Sequence, residues 1–129
     1  MSPGYNRTMR VLGLDHVNIA GSHELIERCR AFYLDILGLT DGPRPSFRSR
    51  GYWLYAGDRP VVHLSERDSD TIGTSALDHY AFTCEGLDDM MARLREHDVP
   101  FTIDPARDSK RAQLFVDDPA GVSLELNFL

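Results

Sequence analysis

The tripeptide Leu-Asp-His occurs twice in this chain, and each copy opens a short apolar stretch typical of a β-strand. The copies end at His16 and His79, which are 63 residues apart, and a second potential metal ligand follows each of them. His63 lies 47 residues after His16, and Glu125 lies 46 residues after His79. Imidazole and carboxylate groups are ligands that zinc, nickel, manganese and iron accept in proteins. The matched spacing therefore predicts one divalent metal site formed by His16, His63, His79 and Glu125.

The four side chains are predicted to lie on the polar faces of their strands, because side chains alternate between the two faces along a strand. Val17 and Ile19 alternate with His16, and the stretch after His79 repeats this pattern. In the last strand of the chain, Glu125 alternates with leucines in the same way. The apolar faces must pack under helices, which leaves the metal-binding side chains on the opposite, concave side.

Two amphipathic helices are predicted, one after each of these first strands. The first has apolar residues three and four positions apart, with Ser22 as a cap and Gly38 as a stop. The second has the same periodicity from Leu87 to Leu94. His23 and His97 fall at helix ends, where we expect structural or solvated histidines.

Hairpin signals follow each helix and complete the two halves. The segments 57–60 and 117–121 have turn composition and are flanked by alternating apolar stretches. A further strand is expected before each hairpin, around Phe47 and Phe101. Each half is therefore predicted to form a strand, a helix and up to three more strands, as a duplicated module that pairs with its twin.

The predicted organisation is a short flexible arm followed by a single domain, which is the usual organisation for 129 residues. The arm covers residues 1–10 and the domain covers residues 11–129. Within the domain, the first module spans about 11–66, the linker spans 67–75, and the second module spans about 76–129.

Composition excludes several classes of function. A formal net charge of −6 argues against nucleic-acid binding, which needs a basic surface. No apolar run approaches the ~20 residues that a membrane span needs, and the first residues lack the apolar core of a signal peptide. Cys29 and Cys84 have no metal-type spacing and are expected as core thiols, which fits a cytoplasmic protein.

The sequence resembles the vicinal oxygen chelate superfamily, which contains glyoxalase I, extradiol dioxygenases, fosfomycin resistance enzymes, methylmalonyl-CoA epimerase and bleomycin-binding proteins. The stretches that carry the resemblance are LDHVNIA, RAFYLDILGL, VVHL, LDHYAF and FVDDPAGVSLEL. It implies an α+β fold in which paired βαβββ modules form a cup-shaped open barrel around one divalent ion. It also implies that the ligands come from the first and last strand of each module, which again selects His16, His63, His79 and Glu125.

The resemblance further implies a homodimer, because in many members the cup combines modules of two chains. Whether this chain pairs its own halves or exchanges them is left open by the sequence. His63 departs from the family pattern, since glyoxalase I typically has glutamate and the epimerase glutamine at this place. Dioxygenases and fosfomycin enzymes use a triad equivalent to His16, His79 and Glu125. The repeat makes His63 the counterpart of Glu125, and we therefore expect it to be a ligand.

Three functions are compatible with these residues. The first is a metal-dependent lyase or isomerase of the glyoxalase type, with Glu125 or His63 as the catalytic group that moves a proton. The second is an Fe(II) extradiol-type dioxygenase, and the third is a non-catalytic small-molecule-binding protein of the resistance type. The metal could be nickel, zinc, manganese or iron. The candidate substrate-binding residues are Trp53, Tyr55, Gln113 and Arg111.

Overall fold

A computed structural model describes residues 9–10, 12–70, 72–73, 77–105 and 112–129. Most of the predicted arm, and Arg111, lie outside the described residues. The elements of the first half are β1 (Val17–Gly21), α1 (His23–Ala31), a π-helical turn (Phe32–Ile36), β2 (Thr40–Gly42), β3 (Gly51–Ala56) and β4 (Arg59–Glu66). Those of the second half are β5 (Tyr80–Cys84), α2 (Leu87–Glu96), β6 (Phe101–Pro105), β7 (Ala112–Asp117) and β8 (Ser123–Phe128).

The strands form two four-stranded sheets with the same order, β1-β4-β3-β2 and β5-β8-β7-β6. In each sheet the first and last strands of the half are parallel neighbours, and the other pairs are antiparallel. This confirms the α+β fold of paired βαβββ modules, whose open sheets fit a cup rather than a closed barrel. Among the described residues, no helix combines the length and apolar character needed to cross a bilayer.

The register of the parallel pairs confirms that the two halves correspond position by position. Asn18 pairs with His63 in the first sheet, and Ala81 pairs with Glu125 in the second. His16 precedes β1 by one residue, and His79 precedes β5 by one residue. Each predicted ligand on a last strand therefore lies beside the start of its own first strand.

The core lies on the helix-covered faces of the sheets, as the alternation predicts. In β8 the buried residues alternate with partly exposed ones, and Glu125 belongs to the second set. On β5, Ala81 and Thr83 are exposed together with His79 on the other side of the sheet. Cys29 is fully buried, as predicted, and burial raises the pKa of its thiol to about 12. The largest fully buried side chains are Tyr33, Leu25, Ile26, Leu54, Leu64, Leu94, Leu114, Leu124 and Leu126.

The first helix begins and ends where its sequence predicts, but its last turn has a different hydrogen-bond pattern. Ser22 caps it, because its hydroxyl oxygen accepts a hydrogen bond from the N–H of Leu25 at 3.3 Å. Gly38 ends it with a φ of +77°, which favours glycine. The N–H of Leu37 bonds to the carbonyl of Phe32 at 3.3 Å, five residues back. Apolar periodicity cannot distinguish such a π-helical turn from an α-helical one over a single turn.

The strand predicted around Phe47 is wrong, whereas the one predicted at Phe101 is confirmed. In the first half the second strand along the chain is Thr40–Gly42, at the edge of the sheet, and Phe47 lies in the segment between β2 and β3. Pro43 and Pro45 lie in this segment just before Phe47. Proline has no backbone N–H to donate to a sheet. The ring of Phe47 instead packs near that of Trp53, with centroids 6.2 Å apart.

A buried polar bridge joins the two modules. The Tyr33 hydroxyl, from the π-helical turn of the first module, donates to Asp118 Oδ2 at 2.6 Å. The Tyr80 hydroxyl lies 2.6 Å from that of Tyr33 and must donate to it, since the Tyr33 proton is already used. Asp118 Oδ1 accepts the N–H groups of Ala120 and Val122, both at 2.9 Å. Burial raises the pKa of Asp118, because a charged carboxylate is disfavoured away from water. The hydrogen bonds of the bridge offset this cost by satisfying both carboxyl oxygens.

Replacing Tyr33 by phenylalanine should lower the free energy of unfolding by about 1–3 kcal/mol, because Asp118 and Tyr80 each lose a buried hydrogen-bond partner. Urea denaturation measures the change. Tyr55→Phe is the matched control, since the Tyr55 hydroxyl donates to the Pro43 carbonyl at an exposed position. Equal, small losses in both variants would show that the bridge does not hold the modules together.

Candidate metal centre

His79 and Glu125 form the better defined half of the predicted metal site. His79 Nδ1 donates to Asp78 Oδ2 at 2.7 Å, which leaves Nε2 with its lone pair free in the neutral ring. Nε2 lies 3.8 Å from Glu125 Oε1. The pKa of His79 is raised, first by the hydrogen bond to Asp78 and then by the charge of Glu125. Asp78 thus orients the His79 ring, in the way that carboxylates orient histidine ligands in metal sites.

Glu125 is held in place by its neighbour on β8. Its side chain is 16% exposed, and its Oε2 accepts a hydrogen bond from Asn127 Nδ2 at 3.0 Å. The amide oxygen of Asn127 is buried and has no hydrogen-bond partner among the described residues. A buried carbonyl oxygen normally has a hydrogen-bond partner, so this oxygen is available to a donor group bound beside Glu125.

The donor set and its spacing fit a divalent ion. The gap of 3.8 Å between Nε2 and Oε1 exceeds a hydrogen bond. Nitrogen and oxygen ligands lie about 2.0–2.2 Å from zinc, so one ion bound to both atoms fits within this separation. His79 and Glu125 would therefore hold the ion, with Asp78 and Asn127 fixing their orientation.

His16 and His63 form the other half of the predicted site, as part of an aromatic stack. His16 Nδ1 donates to Asp15 Oδ1 at 2.6 Å, as His79 does to Asp78. The ring of His63 lies between the rings of His16 and Trp53, with centroid distances of 3.6 and 4.1 Å. His63 is 9% exposed, and its Nε2 donates to the Pro60 carbonyl at 3.1 Å.

The stack has two consequences for the chemistry of His63. Burial, and then the neighbouring His16, lower its pKa, so the ring is neutral near pH 7 with Nδ1 free to accept a proton. The planes of His63 and His16 are inclined by only 11°. The lone pair of an imidazole nitrogen lies in the plane of its ring. The lone pairs of two stacked rings therefore cannot both be directed at one ion unless one of the rings rotates. Ligation by His63 stays a prediction.

The described part of one chain does not gather the four predicted ligands into one cluster. Among its histidine, cysteine and carboxylate side chains, the group of three whose ligand atoms lie within 4.8 Å of one another is His23, Glu27 and Glu66. His16 and His63 belong to the first module, and His79 and Glu125 belong to the second.

The candidate substrate-binding residues lie in different places. Trp53 contacts His63, and Gln113 faces Asn127 across β7 and β8, on the Glu125 face. Tyr55 donates to the Pro43 carbonyl and lines a crevice of about 300 Å³ between the modules with Phe82, Thr83, Cys84 and Met90. Arg111 lies outside the described residues.

Sequence reasoning missed the orienting residues Asp15, Asp78 and Asn127. The signal for the two aspartates was present, because the repeated tripeptide contains Asp directly before each histidine. Asn127 carried a weaker signal, since it is two residues beyond Glu125 and therefore on the same face of the strand.

Comparisons with known proteins agree with this fold. The profile of the Glyoxalase/Bleomycin resistance protein/Dioxygenase superfamily matches residues 13–126. A glyoxalase family protein from Bacillus anthracis is 25% identical and has a TM-score of 0.75, with 93% of this chain and 97% of that chain covered. No curated protein matches the chain in sequence.

Two further solved structures share the fold at lower identity. One is a glutamine mutant of the fosfomycin resistance protein FosX from Listeria monocytogenes, complexed with Mn(II) and 1S,2S-dihydroxypropylphosphonic acid. It is 16% identical with a TM-score of 0.72, covering 92% of this chain and 93% of that one. The other is the antibiotic binding protein TnmS3 from Streptomyces sp. CB03234, which is 18% identical with a TM-score of 0.65, covering 93% and 98%.

Changing His79 or Glu125 to alanine should abolish stoichiometric metal at the predicted site with the fold retained, since each change removes a ligand. Asp78→Ala should weaken metal binding by about 10- to 100-fold, because it only releases the His79 ring. Zinc titration followed by calorimetry, with circular dichroism to check the fold, measures both effects.

Asp58→Ala is the matched control for Asp78, because it removes an exposed aspartate from the β3–β4 turn. It should bind zinc as the unmodified protein does. Unchanged metal content in both the His79 and the Glu125 variants would show that the site lies elsewhere.

Proposed function

This chain belongs to the Glyoxalase/Bleomycin resistance protein/Dioxygenase superfamily, and we propose that it is a metal-dependent lyase or isomerase of the glyoxalase type. The observation that carries the proposal is the His79–Glu125 pair, with its free Nε2 facing a carboxylate oxygen at 3.8 Å. The substrate class is a small molecule that chelates the ion through two oxygen atoms. The FosX complex supports this class, because it contains Mn(II) together with a small phosphonate bearing two hydroxyl groups.

The complete site is proposed to form in a homodimer. His79 lies on an open sheet face with Ala81 and Thr83, which are also exposed. A second copy of the chain, related by a two-fold axis, would place its His16 beside the His79–Glu125 pair of the first. Two such sites per dimer follow from the symmetry, and each would close one cup.

Each residue of the proposed site has a separate role in the reaction. The bound ion, when present, supplies a Lewis acid that polarises the substrate oxygens. Asp78 and Asn127 keep His79 and Glu125 oriented as ligands. His63, buried and neutral near pH 7, accepts a proton at Nδ1 while Nε2 stays bonded to the Pro60 carbonyl. The Trp53 ring covers one face of His63 and keeps water from it.

A dioxygenase is the second candidate, and the stacked position of His63 favours it. With His63 off the metal, as its role as a base also requires, the ligands are His16, His79 and Glu125, and this set fits a dioxygenase as well. Two histidines and one carboxylate are the ligand set of non-heme Fe(II) oxygenases, and they leave open positions for a catecholate and O2. His63 would then act as an acid or base beside the metal.

A binding protein without chemistry is the third candidate. The stack of Trp53, His63 and His16 offers a flat aromatic surface, and the antibiotic binding protein TnmS3 has the same fold. Two potential ligands paired at metal-binding distance are not needed for such a role, so we rank it below the two enzymatic candidates.

The test is a reaction panel with the full chain loaded separately with Ni(II), Zn(II), Mn(II) and Fe(II). We expect isomerisation of hemithioacetals of 2-oxoaldehydes, or a related proton transfer beside a chelating carbonyl group. His63→Ala should lower kcat by about 10²- to 10⁴-fold, as the loss of a general base does, with metal content kept. Loss of the metal in this variant would instead identify His63 as a ligand.

Two other outcomes separate the alternatives. Oxygen uptake with catechols in the Fe(II) form would replace the lyase by the dioxygenase. Quenching of the fluorescence of Trp53, the single tryptophan, by a planar ligand without turnover of any substrate would favour the binding protein.

The assembly is tested separately by light scattering at micromolar concentration. We expect the mass of a dimer, twice that of the 14.6 kDa chain. Mixing His16→Ala with His79→Ala chains should restore one complete site in each mixed dimer, because each chain lacks a different ligand. A monomeric mass, or no recovery of metal binding on mixing, would contradict the shared site.

A further inference from the structure

We propose that His23, Glu27 and Glu66 form a second divalent metal site, separate from the predicted one at His79 and Glu125. One ligand atom from each of the three residues lies within 4.8 Å of the other two. His23 Nδ1 is 2.9 Å from Glu66 Oε2, close to the roughly 3.0–3.4 Å that separates two ligands of one zinc ion. Glu27 would supply the third ligand after a small rotation of its side chain.

The three residues come from two elements that the fold holds together. His23 and Glu27 are four residues apart on α1, and such residues lie on the same helix face. Glu66 is the last residue of β4 and pairs with Gly21, two residues before the helix starts. The Tyr52 hydroxyl donates to Glu27 Oε1 at 2.5 Å, which orients this carboxylate and leaves its second oxygen available.

The site is placed on the other side of the sheet from the His16–His63 stack. Glu66 follows Val62 and Leu64 on the helix-covered face of β4, whereas His63 is on the opposite face. Glu66 is only 19% exposed, whereas His23 is 61% exposed, so an ion would be reachable from solvent through the histidine.

The second module shows that the fold does not require charged groups at this place. Counted from the helix caps Ser22 and Gly86, the positions of His23 and Glu27 correspond to Leu87 and Met91. By the register of the parallel strands, Glu66 corresponds to Phe128. All three of these residues are apolar and pack in or against the core.

Stability alone does not account for the difference between the modules. A partly buried ion pair is often no more stabilising than apolar residues in its place, because desolvating the charges offsets their attraction. A nitrogen and two carboxylate donors around one point suit zinc, cobalt, nickel or manganese, whereas calcium and magnesium prefer oxygen ligands alone. The three ligands leave room for water or an exogenous ligand at the ion.

The test is a zinc titration of the metal-free full chain by calorimetry, with Glu66→Gln and His23→Gln as the variants. Both should lose one zinc per chain, or bind it at least tenfold more weakly, while the zinc bound through His79 and Glu125 remains. His97→Gln is the matched control, because His97 lies at the end of the other helix and bonds to the Arg93 carbonyl. It should bind zinc as the unmodified chain does.

The double variant His79→Ala, Glu125→Ala separates this site from the proposed function. It should still bind one zinc per chain and unfold at a higher temperature with zinc, and adding Glu66→Gln should remove both effects. If the site at His79 is wrong, the unmodified chain binds one zinc, which Glu66→Gln removes. Equal zinc stoichiometry and affinity in the unmodified chain, Glu66→Gln and His23→Gln would overturn the proposal and leave the cluster as an ion pair.

Discussion

The parallel pairing of the first and last strands of each module determines where every candidate ligand lies. A parallel pair cannot be joined by a tight turn and needs a long crossover, and in this chain the crossover leaves the first strand through a helix and returns through further strands. The helix covers one face of the sheet and selects apolar side chains there. The other face is left for polar groups, and the strand starts bring the Leu-Asp-His histidine beside the middle of the last strand. Glu125 therefore meets His79 although 46 residues separate them.

The orientation of each histidine depends on a local contact rather than on the fold as a whole. A histidine at the start of a strand can rotate, and a metal ligand must present one nitrogen in a fixed direction. Asp15 and Asp78 supply this constraint from the preceding residue, by accepting a hydrogen bond from Nδ1–H, so that Nε2 is the nitrogen with the free lone pair in the neutral ring. The aspartate of the repeated unit thus orients the histidine that follows it in both modules. His63 lacks such an aspartate and is oriented instead by the Pro60 carbonyl and by two stacked rings.

The sequence predicts those features that depend on local periodicity. Strand alternation predicts that His16, His79 and Glu125 lie on the faces away from the core. Capping signals locate the start of α1 at Ser22 and the end of the π-helical turn that follows it at Gly38. The strand β2 was misplaced, because three residues are too few to show alternation. The bridge from Tyr33 to Asp118 was not predicted, since the two residues are 85 positions apart and tyrosine and aspartate are common in loops and helices alike. How the predicted ligands of both modules would meet at one ion depends on assembly, for which a single sequence has no periodic signal.

Comparison of the two modules distinguishes the side chains that the fold requires from those that it does not require. The parallel ladder has two ends, and side chains of the first and last strands meet near both of them. At its starting end both modules have ionisable groups, His16 with His63 and His79 with Glu125. At its far end the second module has Leu87, Met91 and Phe128 at the positions that correspond to His23, Glu27 and Glu66, and its sheet and helix form without these ionisable groups. The His23–Glu66 contact at the far end of the first ladder is thus an addition to a fold that is stable without it. An ion pair with so exposed a histidine adds little to stability, so folding alone does not call for it.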